Sequence, residues 1–213
     1  MAKLHISKMM IGLFLGIALS AGCGSTASVP DIIEQNSLIM DKEGHLTAHI
    51  VDVFDKDYYD LEGLKKMAQE EVDAYLQAHA DQGQTVSISR VEKVEGHDEA
   101  VVVTYEFADA ASFAAFTDKT CFYGTAEQAQ AAGIDPAASG RMLRSADGNE
   151  RIAAGELLTG QQYVLLVSDH TKVYCPYRVL YISEQAQIAE DGSVDTTGVA
   201  PEEYPVVIVL DQT

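Results

Sequence analysis

The stretch Ser37–His79, SLIMDKEGHLTAHIVDVFDKDYYDLEGLKKMAQEEVDAYLQAH, carries two hydrophobic periods one after the other. Ser37–Met40 and Leu46–Phe54 are apolar runs separated by Asp41-Lys42-Glu43-Gly44-His45, and Gly44 supplies the positive-φ position that a tight hairpin needs. Beyond them the period changes. Leu61, Leu64, Ala68, Val72, Tyr75 and His79 recur at three- and four-residue steps, the apolar face of a helix. Asp60 is placed to cap that helix and Glu62 sits in its first turn, where the dipole favours an acid. Glu62 and Lys66 are spaced to pair on the exposed side, and Asp81-Gln82-Gly83 ends the helix. The stretch reads strand, turn, strand, helix.

The same grammar continues. Thr85–Glu92 and Ala100–Phe107 are expected to pair about Glu95-Gly96-His97-Asp98, with Val101, Val103, Tyr105 and Phe107 alternating as in a half-buried strand. Short helices are expected over Ala108–Phe116 and Thr125–Ala132, with a strand at Thr120–Gly124 between them. Arg141–Arg144 and Glu150–Ala153 form a further hairpin about Asp147-Gly148-Asn149. Tyr163–Val167, Val173–Ser183 and Val206–Leu210 read as strands, with Glu184–Glu203 a polar excursion before the last. Hairpins followed by helices, without βαβα alternation, define an α+β fold. The expectation is a mostly antiparallel sheet built from hairpins, with one long and two or three short helices packed on one face. "EGH" recurs at Glu43–His45 and Glu95–His97, each time in a turn; turn chemistry alone accounts for that.

Acidic residues outnumber basic ones 33 to 14 in 213 residues, for a formal net charge of −19. Such a surface repels phosphate backbones, which excludes nucleic acid as a partner. Lys3 and Lys8 precede an apolar run, Met9–Leu19, of about eleven residues, short of the roughly 20 that span a bilayer. Small residues then lead to a cysteine in Leu19-Ser20-Ala21-Gly22-Cys23. Positive flank, short apolar core and small residues before a cut are an export signal. The cysteine makes the motif resemble the lipobox of bacterial lipoproteins. That resemblance implies removal of residues 1–22 and attachment of diacylglycerol, a palmitate-type modification, to the Cys23 thiol. Ser20 stands where the family's branched apolar residue usually falls. Loss of Lys3 and Lys8 would take the net charge from −19 to −21. Residues 23–36 then read as a lipidated, polar tether and residues 37–213 as a single domain.

Catalytic signatures are missing: no Gly-x-Ser-x-Gly, His-Glu-x-x-His, Cys-x-x-Cys or phosphate loop occurs. His45, His49, His79, His97 and His170 are scattered. Asp52–Glu62 is the densest acidic stretch, and its Asp55, Asp57, Asp60 and Glu62 are a weak calcium candidate. They lack the central glycine and the twelfth-position carboxylate of a calcium loop, so a strand end and helix cap is the competing reading. Tyr58-Tyr59, Phe122-Tyr123, and Tyr174 with Tyr177 and Tyr181 are either a stacking platform or strand packing. In an exported chain Cys121 and Cys175 are either a disulfide or two buried thiols.

Ser37–Leu76, with CFYGTAEQAQAAG (Cys121–Gly133) and YRVLYIS (Tyr177–Ser183), resembles a group of uncharacterised lipoproteins of Gram-positive anaerobes. The resemblance implies location and supplies no catalytic residue. Together these readings describe an extracytoplasmic, membrane-anchored module that binds or scaffolds at the cell envelope, with an envelope protein as partner. The alternatives are an envelope enzyme whose site is assembled from distant residues, and a solute-binding component of a transporter.

Overall fold

A computed structural model describes residues 27–56, 59–80, 83, 85–203 and 205–212. The leader, Cys23, Asp57, Tyr58, Asp81 and Gln82 lie outside them. The opening hairpin joins β1 (Ser37–Met40) to β2 (Leu46–Val53). Gly44 takes φ +91° in its turn, and the His45 backbone N–H donates to Asp41 Oδ1 at 2.9 Å. Next comes α1 (Leu61–Ala78), whose N-terminal Glu62 and Gly63 N–H groups donate to the Asp60 carboxylate. Ala68 and Val72 on its apolar face are buried, and Leu61, Leu64 and Tyr75 pack beside them. On the exposed side Glu62 pairs with Lys65 at 2.8 Å and Lys66 turns to Glu70 at 3.6 Å, in place of the expected Glu62–Lys66 pair. Both spacings are neighbours on a helix surface.

The second hairpin, β3 (Val86–Val94) with β4 (His97–Phe107), is followed by α2 (Ala110–Thr117). Then come β5 (Cys121–Thr125) and α3 (Ala126–Ala131), the latter held by a capping box between Thr125 and Gln128. The hairpin of β6 (Met142–Ser145) and β7 (Arg151–Ala153) runs into a four-residue helix, α4 (Ala154–Leu157), that the periodicity does not announce. The chain closes with β8 (Tyr163–Val167), β9 (Lys172–Tyr174), β10 (Arg178–Ser183), β11 (Gln187–Ile188), β12 (Val194–Asp195) and β13 (Val206–Asp211).

The α+β class and the antiparallel preference hold, but the strands form two sheets where one was expected. The first runs β11-β12-β9-β1-β2-β4-β3 and the second β5-β8-β13-β10-β6-β7. Among these pairings only β1 with β9 is parallel. The expected single strand Val173–Ser183 is in fact two, broken at Cys175-Pro176-Tyr177. Proline has no N–H to give a ladder, and at this point the chain leaves the first sheet and enters the second. The excursion after Ser183 contains β11 and β12, which extend the first sheet by a hairpin.

Strand parity sorts the cores. Val206, Ile208 and Leu210 of β13, with Leu165 and Val167 of β8, join Leu38, Val103, Tyr105 and Phe107 of the first sheet in one core, together with α1 and α2. Val207, Val209, Val164 and Leu166 point the other way, onto Ala129 of α3 and Ala154 of α4. The helices therefore cover more than the single face expected. With both faces covered, β8 and β13 are nearly continuous apolar runs.

Register makes the first sheet two-faced. Ile188, Val194, Val173, Leu38, Ala48, Tyr105 and Ile88 stand side by side across its seven strands and all belong to, or pack against, the main core. One residue earlier or later, and two in β3 where a bulge follows Ile88, the opposite face carries Gln187, Asp195, Lys172, Ser37, His49, Thr104 and Arg90 in one polar row. The segment preceding β1 lies against this sheet: Ile33 is buried with Val94 and Val102, inside the stretch read as tether.

Candidate functional site

A cavity of about 680 Å³ opens between the start of β10, the β6–β7 turn and the β11–β12 turn. Two local features shape it. Register slips between Val179 and Tyr181, a bulge in β10, and the freed Leu180 carbonyl accepts the Ala146 N–H at 2.8 Å. This ties the β6–β7 turn to the cleft wall. Within that turn Gly148 takes φ +77°, and the Asp147 carboxylate accepts from Ser145 Oγ at 2.5 Å, the Asn149 N–H at 3.1 Å and Asn149 Nδ2 at 2.9 Å. The Ser145 hydroxyl first, then Asn149, hold the Asp147 carboxyl down at about 2.

Around the cleft Tyr181 donates its hydroxyl to Glu150 Oε2 at 2.7 Å, and that bond raises the Tyr181 phenol. The Arg178 guanidinium donates to the Asp211 carboxylate. Tyr177 carries Lys42 Nζ over its ring, 5.7 Å from the centroid. Cys175 also lines the cleft, and burial pushes its thiol up to about 12, favouring the protonated form. The cleft therefore offers aromatic faces, hydroxyls and the carboxylates of Asp147 and Glu150. That chemistry suits binding, and its volume falls in the range of small-ligand sites.

A second cavity of about 200 Å³ lies where residues 30–35 cross the polar face of the first sheet, with Ser37, Lys172, Tyr174 and Asp191 in its wall. Asp191 accepts from the Tyr174 hydroxyl at 3.1 Å and the Ser193 hydroxyl at 2.5 Å, and Lys172 Nζ lies 3.5 Å away. His49, beside Ser37 in the row, is buried and shares a 2.9 Å hydrogen bond with Thr104 Oγ1. Burial first, and the Arg90 charge second, lower its pKa, favouring the neutral ring.

Three acids of the calcium candidate have protein partners. Asp60 caps α1, Asp55 pairs with Lys56 at 2.9 Å and Glu62 pairs with Lys65, while Asp57 lies outside the described residues. Among the described residues no group of three His, Cys, Asp or Glu side chains is arranged to hold a metal. The histidines stay apart: His45 meets Asp41, His97 meets Glu34, His79 stacks on Tyr75 at 4.2 Å and His170 bonds the Thr197 carbonyl. Cys121 and Cys175 are both free and buried in the main core; burial also pushes Cys121 up to about 12. The three tyrosines read as one platform divide. Tyr177 and Tyr181 line the large cleft, whereas Tyr174 serves Asp191 beside the smaller cavity.

Sequence reading passed over Glu150, Arg178 and the orphan hydroxyl of Ser37 as site residues. Glu150 and Tyr181 are 31 positions apart and meet only because β6 pairs with β10. The hairpin signal at Asp147-Gly148-Asn149 was the one local trace of the cleft. Comparison with protein-family models, with curated proteins and with solved structures finds no match to this chain.

Proposed function

We propose that this chain is an extracytoplasmic lipoprotein, anchored through diacylglycerol on Cys23, whose domain is a non-enzymatic binding or scaffolding module at the cell envelope. The observation that carries the reading is the leader: Lys3 and Lys8, the apolar run Met9–Leu19, and small residues ending at Cys23. Two acyl chains anchor stably where one does not. The cleft supports the binding part, since Asp147 accepts from Ser145, Tyr181 donates to Glu150, and Cys175 is buried. An envelope protein or a small ligand would be held there by the Tyr177 and Tyr181 rings and the Glu150 carboxylate.

Palmitate labelling in a bacterial host tests the anchor. The wild-type chain takes up label and sediments with membranes, and Cys23→Ser loses both properties. Label retained by Cys23→Ser refutes the proposal.

A further inference from the structure

We infer that the large cleft faces the membrane at short range, an inference that rests on the lipid-anchor reading of Cys23. From Ala27 onward the chain is held to the domain at the cleft rim. Ala27 lines the cleft, and its Cα lies 3.2 Å from where a Cβ on Gly192 would stand. The Ser28 N–H donates to the Asp191 carbonyl at 3.1 Å, pinning the segment to the β11–β12 turn. Only four residue steps separate Cys23 from Ala27, and fully extended they reach about 14 Å. A domain of this length has a radius of gyration of about 16 Å. The leash is thus shorter than the domain's own radius. It keeps the Ala27 side of the cleft within about 14 Å of the lipid-bearing Cys23, whatever path residues 23–26 take.

The first sheet sets the far side. From β12, beside the leash, five strand spacings lead to β3, about 24 Å away. The β3–β4 turn at Glu95 therefore lies on the side of the sheet remote from the leash, the side expected to stand off the bilayer. Acids on the rim, Asp147 and Glu150, match a zwitterionic headgroup layer better than an anionic one, where a domain of this charge is repelled.

The test uses the full lipidated protein in phosphatidylcholine vesicles that contain a nitroxide-labelled lipid. A thiol-reactive fluorophore is placed on Asn149→Cys, at the exposed cleft rim, or on Glu95→Cys; Cys121 and Cys175 are buried and do not compete. Quenching at position 149 is expected to be at least about two-fold greater than at 95, from the separation of the two sites. A Gly/Ser insert of about 20 residues between Thr26 and Ala27, with an r.m.s. reach of about 25 Å, is expected to abolish the difference. Equal quenching in palmitate-bearing protein, or stronger quenching at 95, overturns the orientation while leaving the anchor standing. Protein that carries no palmitate overturns the anchor and the orientation together.

Discussion

Ser37 Oγ is buried and has no hydrogen-bond partner, the one such side-chain atom among the described residues. A buried hydroxyl without a partner costs about 1–3 kcal/mol of desolvation. Ser37→Ala is therefore expected to stabilise the domain by about 1 kcal/mol in urea unfolding. A clear loss instead would mean that the hydroxyl is engaged in solution. Its neighbour His49 gives the residue scale a pH signature. The folded pKa lies below 6.5, so in the fold the ring is held neutral. Between the folded and unfolded values the unfolded chain binds more protons, and stability rises with pH. The contribution is complete above about 6.5 and is lost as pH falls through the lower folded value. Urea midpoints are expected to drop between pH 7 and pH 5, and His49→Gln is expected to flatten that slope. The depressed carboxyls Asp41, Asp147 and Asp191 act in a more acidic window, below 3.8, so they do not mimic the effect. Unchanged slopes in His49→Gln would assign the acid lability elsewhere.

Among the elements, α1 separates two readings of one acidic run. Both Asp60 oxygens accept backbone N–H groups, from Glu62 at 3.2 Å and Gly63 at 2.9 Å. Asp60→Ala is expected to cost about 1 kcal/mol in thermal or urea unfolding, by the same amount with and without calcium. Wild-type stabilisation by millimolar calcium that Asp60→Ala abolishes would restore the metal reading. This helix was legible because its apolar period runs over 18 residues and its cap is local. The hairpins around Gly44 and Gly96 were legible for the same kind of reason, positive φ at +91° and +78° between alternating runs. By contrast, β11 and β12 have two residues each and α4 has four, too short for any period to show. The repeated "EGH" turns each open a strand that precedes a helix, and β2 pairs with β4, giving the order β1-β2-β4-β3 at one end of the first sheet. Nothing about the two histidines is shared beyond the turn: His45 meets a carboxylate four residues back and His97 one that is 63 positions away.

For the whole molecule, the decisive event is the crossing at Cys175-Pro176-Tyr177. It delivers Lys172–Tyr174 to one sheet and Arg178–Ser183 to the other, and so places Cys175 in the core between sheets and Tyr177 in the cleft. An apolar run interrupted by one proline reads equally well as a single kinked strand, because local preference does not say which neighbour each half will find. The sequence by itself determined the elements whose energy is local: α1 with its cap, the glycine-turn hairpins, and the alternation of β4. It also determined the formal net charge of −19. Only the tertiary structure decided that the strands divide into two sheets, that both cysteines are buried and free, and that Glu150 reaches Tyr181. The reason is register. A strand's two faces are set by its own alternation, but which face is buried, and which distant side chain stands opposite, depends on pairings such as β1 with β9, 135 positions apart at Ser37 and Lys172.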